Sequence, residues 1–346
     1  MMVKKRWLVI ISVFALLCVA GGGIAYSLYD AVFMANVKTA SRQTLLYIPT
    51  GSDFEQVCRL LVSHGLQDEA SFRWVAGRMN YPGRVKPGRY GLADRTSNIE
   101  LVRMLRSGRQ LPVKVTFNHI RTGAQLAGVA AAALETDSAS VARLFADSVF
   151  LNSLHLTPHT ALSIFIPNTY ELLWNTSAEE FWRRMNREYQ RFWNAERTKK
   201  AEDIGFTPLQ VTVLASIIEE ETNLHDEKLL IAGVYMNRLK RNIPLQACPT
   251  AKYVAGDFTL ARILKKHTEA PSPYNTYLHT GLPPGPICVP SIASIDAVLH
   301  YTRHDYLYFC AKADFSGKHH FSRTLEQHNR YAQEYQRALN RLNIYR

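Results

Sequence analysis

A run of 23 uncharged residues, Trp7 to Tyr29, follows directly on Lys4, Lys5 and Arg6 and limits what the rest of the chain can be. As a helix rising about 1.5 Å per residue it reaches roughly 34 Å, enough to cross a hydrocarbon core of about 30 Å. Three cations stand before it and only Asp30 stands close behind, so the positive-inside rule keeps residues 1–6 cytoplasmic and sends everything after Asp30 outside. The expectation is an uncleaved anchor over residues 7–29. A cleaved signal peptide is the rival, but its apolar region usually covers about 7–15 residues before an A-x-A-like site, and no convincing site comes after this run. Cys18 invites a lipoprotein reading, against which stand Leu17 before it and the apolar residues after it.

The remainder is a folding chain, with 47% apolar and 11% aromatic residues overall, and is expected to form at least two domains. Five Cys with no C-x-x-C pair and no H-E-x-x-H make no case for a metal, and no cofactor is expected. The glycine-rich phosphate loop, the dinucleotide fingerprint and the G-x-S-x-G elbow are all missing from the sequence. With Lys4, Lys5, Arg6 and Asp30 set aside, 41 basic and 29 acidic residues become 38 and 28, so the exported part is basic by +10. Outside a bacterial inner membrane the abundant acidic polymer is the cell wall, and nucleic acid is not an expected partner. The cations are dispersed, which leaves a merely solvated basic surface open. Cys58, Cys248, Cys288 and Cys310 could pair there or stay free, and spacing does not decide.

Along the exported chain, residues 30–43 read as a stalk. Residues 44–49 read as a strand, Ser52-x-x-Glu55 as a capping box opening a helix, Asp68 as the cap of a second helix to about Met79, and 89–92 as a return strand. A further capping box, Ser97 with Glu100, opens a helix closed by Gly108. The alternation Leu111, Val113, Val115, Phe117 reads as a strand, and Thr122 with Gln125 starts a helix through Leu134. The stretch 181–200 reads as one helix with an aromatic stripe, core-facing or membrane-lying.

Chemistry concentrates where Thr207, Pro208 and Gln210 open a helix predicted to run to Asn223. Glu219, Glu220 and Glu221 step about 100° apart on it, so at least one is expected to be partly buried. Glu221 falls at the edge of the apolar stripe, and Glu219 lies over Thr212, Ala215 and Ser216, small residues able to line a cleft. A carboxyl held against apolar atoms has its pKa raised from about 4.3 towards about 6–7, the range of a general acid. A solvated acidic helix end, or ion pairs with Lys228, Arg238 or Lys240, is the competing explanation.

The stretches ASIIEEET (215–222), VYMNRL (234–239), PLQ-x-x-PT (244–250), SPYNTY (272–277), GLPPGPI (281–287) and TL-x-x-HN (324–329), with IPTG (48–51), GRY (88–90) and PNTYE (167–171) before them, resemble the YceG-like endolytic murein transglycosylases. The resemblance covers nearly the whole chain. It implies an α+β protein: one N-terminal transmembrane helix, a LysM-like β-α-α-β wall-binding module over 44–118, a mostly helical connecting region over 119–203, and a mixed α/β transglycosylase catalytic domain over 204–346. It implies cleavage of the β-1,4 bond between N-acetylmuramic acid and N-acetylglucosamine inside nascent peptidoglycan glycan strands, leaving 1,6-anhydro ends and terminating or trimming strands near peptidoglycan synthases. It carries the catalytic role onto Glu219, with Glu221 as a supporting acid.

The chemistry needs one carboxyl. Protonated, it serves the glycosidic oxygen; ionised, it takes the proton of the muramyl C6 hydroxyl. A hydrolytic glycosidase usually needs two. Gln246, Thr250, Tyr274 and Asn275 offer amide and hydroxyl groups to sugar, and Tyr277 offers a stacking face. His319, His328 and Asn329 could hold substrate or orient Glu219. Asn275 could equally be a turn residue bonded to nearby backbone, and the histidines could be structural. Two positions depart from many relatives, Cys248 and Asn168, where an Asp is common. A non-catalytic wall-binding scaffold and a hydrolytic muramidase are the alternatives.

Overall fold

A computed structural model describes residues 2–260 and 262–342. The first helix, α1 (Met2–Phe33), contains one segment long and apolar enough to cross a membrane, Ile10–Phe33, with a mean hydropathy of 2.0; it is exposed up to Asp30, and Val32 packs on the core that follows. The chain then divides into two compact units, residues up to Lys114 with Glu171–Thr176, and Val115–Tyr170 with Ser177 onward.

In the first unit, β1 (Gln43–Ile48) is followed by α2 (Phe54–Ser63), α3 (Glu69–Arg78) and β2 (Gly88–Ala93), which returns antiparallel with Ile48 opposite Gly88; α4 (Asn98–Ser107) completes it. Alternation puts Leu46, Ile48, Tyr90 and Leu92 into the core against Val57, Leu61, Phe72 and Leu101. The expected β-α-α-β order is present. The cap of α2 is Asp53 with Gln56, one residue beyond the Ser52-x-x-Glu55 reading, because the Asp53 carboxylate takes the Gln56 N–H at 2.7 Å. Residues 30–43 are not a free stalk. Helix α1 continues to Phe33, Asn36 and Val37 are buried, and the Asn36 amide donates to Asn98 Oδ1 at 2.8 Å.

The chain continues through β3 (Val113–Phe117), α5 (Gly123–Ala133), α6 (Ser138–Arg143), α7 (Ser148–Ser153), β4 (Asn168–Leu172), α8 (Ala178–Phe192) and α9 (Ala195–Asp203). The single helix expected over 181–200 is two. Asn194 leaves helical geometry and its side chain caps α9 by accepting from Arg197 N, while the Trp193 ring turns into the core. Strand β3 pairs with β4, and the Thr116 and Thr169 hydroxyls bond at 2.8 Å. Residues 119–170 and 177–203 belong to the same compact unit as the helices C-terminal to them and do not form a separate connecting region.

The second unit is completed by α10 (Pro208–Glu219), α11 (His225–Lys240), α12 (Cys248–Ala255), α13 (Lys265–Thr268), α14 (Ile292–Leu299), the hairpin β5 (Tyr308–Ala311) and β6 (His319–Ser322), and α15 (Leu325–Arg341). Its centre is α10, buried from Val211 to Ile218 and packed against α11 and α14. All-round burial matches its nearly uninterrupted apolar sequence. On α11, Gly233 sits where a Cβ would press into the Thr302 carbonyl and the His304 ring. Gly233→Ala is therefore expected to lower stability by about 1–3 kcal/mol, despite the roughly 1 kcal/mol that alanine ordinarily adds to a helix. Chemical denaturation checks this, and a gain in stability would contradict the close approach. Cys18, Cys58, Cys248, Cys288 and Cys310 are all free thiols.

Candidate active site

Helix α10 ends at Glu219, not Asn223, and this ending sends the three acids apart. Glu219, in the last turn, accepts from Lys228 Nζ at 2.9 Å and from the hydroxyls of Ser291 and Ser294 on the start of α14. Glu220, the C-cap, holds the Arg121 guanidinium through two bonds of 2.8 and 2.9 Å. Glu221, beyond the helix, accepts from the Tyr235 hydroxyl of α11 at 2.6 Å.

Their electrostatics differ accordingly. Burial pushes the Glu219 carboxyl up, but the Ser291 and Ser294 hydroxyls and the Lys228 ammonium outweigh it and hold the group below the ordinary carboxylate value. The raised pKa expected at Glu219 is thus corrected, and the ion-pair explanation with Lys228 describes that residue. The raised group is Glu221, where desolvation lifts the pKa to about 7 against the opposing pull of the Tyr235 bond and the Lys252 charge.

Glu221 also borders a cleft in this unit, a cavity of about 530 Å³, within the range of small-ligand sites. Helix α11 contributes Tyr235 and Arg238. The segment 245–252 contributes Gln246, Cys248 and Lys252, the β5–β6 hairpin contributes Tyr308 and His319, and α15 contributes His328 and Asn329. Tyr277 closes one side, its hydroxyl 3.2 Å from Cys248 Sγ. Among the described residues that line the cleft, Glu221 is the one carboxylate.

Of the residues singled out by sequence, Glu221, Gln246, Tyr277, His319, His328 and Asn329 meet at this cleft; Glu219, Thr250, Tyr274 and Asn275 do not line it. Thr250 is fully buried, its hydroxyl donating to Ala247 O and bonded to Thr276. Tyr274 packs on Tyr253 and lies 3.3 Å from His159 Nδ1. Asn275 is fully buried and is the turn residue of its alternative reading. Its amide donates to the carbonyls of Thr268 and Ala270, and its Oδ1 takes the Tyr277 N–H. These three are spent on holding the loop that presents Tyr277. His319 is fixed by Glu227, which takes its backbone N–H at 2.8 Å and faces its Nδ1 at 2.7 Å. His328 stacks on Tyr308.

Sequence reasoning passed over Tyr235, Glu227, Ser291 and Ser294. Tyr235 and Arg238 both stand in the stretch 234–239, three residues apart and so on one helix face, which was the available signal.

The sequence profile of the YceG-like family matches residues 46–334. An endolytic murein transglycosylase of Bacillus subtilis is 30% identical over 332 residues, covering 89% of each chain. One of Streptococcus pneumoniae is 26% identical over 367 residues, covering 96% of this chain and 65% of its relative. The crystal structure of a YceG-like protein of Listeria monocytogenes matches 84% of this chain and 98% of its own, with a TM-score of 0.57 and 27% identity. Fold and sequence agree: the chain belongs to the YceG-like family.

Proposed function

We propose that the chain is an endolytic murein transglycosylase and that Glu221 is its acid and base. The observation that carries this reading is a desolvated carboxyl with a pKa of about 7, the one acid among the described residues along a cleft of about 530 Å³. A glycosidase that consumes water ordinarily uses two carboxylates, so one acid favours the intramolecular route. Protonated Glu221 gives its proton to the glycosidic oxygen as the bond from the muramyl C1 breaks. The carboxylate left behind takes the proton of the C6 hydroxyl while that oxygen closes on C1, forming the 1,6-anhydro ring and restoring the acid. Atoms balance without water.

The Tyr235 hydroxyl orients the carboxyl and stabilises its ionised form between the two steps. Gln246, Asn329 and His319 supply polar groups for acetamido and hydroxyl partners, and Tyr277 a ring face. Glu219 takes a positioning role, fixing the end of α10 from which Glu221 projects. The apolar helix α1 anchors the protein in a bacterial inner membrane with its N-terminus inside, and residues 44–118 hold wall material. Proximity to peptidoglycan synthases accords with action on nascent strands.

Digestion of purified glycan strands tests the reading. Anhydro-muramyl ends mark the transglycosylase, reducing muramic acid ends a muramidase, and intact strands with retained binding a scaffold. The pH profile is a separate check. Because the first step needs protonated Glu221, kcat/KM is expected to be level between about pH 5 and 6 and to fall about tenfold per unit well above pH 7. A rate that climbs from pH 6 to 8 would exclude Glu221 as the donor.

A further inference from the structure

The charge of the cleft is one-sided. Arg238, Lys252 and Arg262 line it, and among the described residues Glu221 is the one carboxylate that lines it with them. Arg238 is 7% exposed, yet its guanidinium bonds only neutral oxygens: the Pro244 carbonyl at 2.9 Å, the Leu307 carbonyl at 3.2 Å and Gln246 Oε1 at 2.6 Å. Arg262 bonds the neutral Asn340 Oδ1 at 3.3 Å. Among the described residues no carboxylate pairs with Arg238, Lys252 or Arg262, whereas Lys228, the other buried cation besides Arg238, is paired with Glu219. A buried guanidinium held by three neutral oxygens and the face of the Tyr308 ring, 5.3 Å away, has no carboxylate to offset its charge, and among the described residues three of its five N–H groups are bonded. Such a group is suited to recognising an anion.

We propose that this cleft recognises a carboxylate-bearing glycan, and that Arg238, Lys252 and Arg262 bind the carboxylates of the peptides carried on the muramyl lactyl groups. The inference rests on reading the cleft as a glycan site. Peptide carboxylates recur at every substituted muramyl residue, so they are present wherever an endolytic enzyme engages the strand. A carrier phosphate, the other anion of nascent strands, sits only at one end. The cations thereby select substituted strands over bare glycan, and the preference weakens with salt.

The test uses the full-length Glu221→Gln protein, so that binding is read without turnover, and end-labelled strands in three forms. These carry stem peptides with free carboxylates, stem peptides with the carboxylates converted to methylamides, or no stem peptides. Free-carboxylate strands are expected to bind about tenfold tighter than the other two. Adding Lys252→Gln or Arg262→Gln, both at partly exposed positions, should reduce that preference to less than about threefold. Equal affinity for all three forms would overturn the proposal, as would a preference indifferent to both substitutions. Displacement of every strand form by inorganic pyrophosphate alone would reassign the cations to a phosphate. Parallel digestion by the unsubstituted protein separates the two readings. Anhydro ends without charge preference leave the chemistry standing and remove this inference; charge preference without anhydro ends does the reverse.

Discussion

Glu221→Gln is expected to lower the rate of anhydro-end formation by about 10²–10⁴-fold, the range for loss of a general acid or base, and towards its upper end because one group serves both steps. The same substitution is expected to stabilise the fold above neutrality. The folded carboxyl has its pKa at about 7 against an ordinary value of 4.5, so between those values the native state holds a proton that the unfolded chain has lost. Stability therefore falls as pH rises through that window, and a cost of about 3 kcal/mol remains above it. Glutamine carries no charge to desolvate and still offers an oxygen to the Tyr235 hydroxyl. Denaturation at pH 5 and pH 8 should show the variant close to the unsubstituted protein at the lower pH and more stable at the higher. A variant less stable at pH 8 would mean that the carboxyl is not desolvated, and the case for its chemistry would go with it. Loss of activity together with gain of stability is the signature of a group strained for function.

How much of this was legible in the sequence depends on how local its cause is. The caps at Ser97, Thr122 and Thr207 were readable because each is closed by a residue three positions on, at Glu100, Gln125 and Gln210. The break at Asn194 was not, because helix-forming residues flank it and the Trp193 ring is turned by core packing. The same holds for the acids. Periodicity located the cluster but assumed a helix through residue 223, whereas the helix ends at Glu219 where Lys228, Ser291 and Ser294 gather around its carboxyl. Two of those partners lie more than 70 residues away in sequence. No spacing rule could say which of three adjacent glutamates would be neutralised by a lysine, which by an arginine and which left to a tyrosine. The sugar-facing candidates divided in the same way. Gln246 and Tyr277 reach the cleft, while Thr250 and Asn275, chosen for the same polar chemistry, are consumed by the turns that carry them.

Glu219→Gln is expected to behave in the opposite sense to Glu221→Gln, and the contrast assigns the two roles. Glu219 and Lys228 form a pair whose side chains are 12% and 7% exposed. Removing one partner leaves the other charge buried alone, at a cost of about 3–5 kcal/mol. Lys228→Met should cost a similar amount, while the double variant should recover most of it, because two neutral groups need no compensation. The pH dependence also has a definite sign. Glu219 titrates below its ordinary value of 4.5, so its contribution is present above that pH and is lost as pH falls through the folded value. The unsubstituted protein should therefore lose stability in acid more steeply than Glu219→Gln does. Assayed at a temperature where the variant remains folded, Glu219→Gln should still form anhydro ends at a rate within about tenfold of the unsubstituted protein, as suits a residue acting through its neighbour. If Glu219→Gln instead stops the chemistry at unchanged stability and Glu221→Gln leaves it running, the roles of the two carboxyls are reversed.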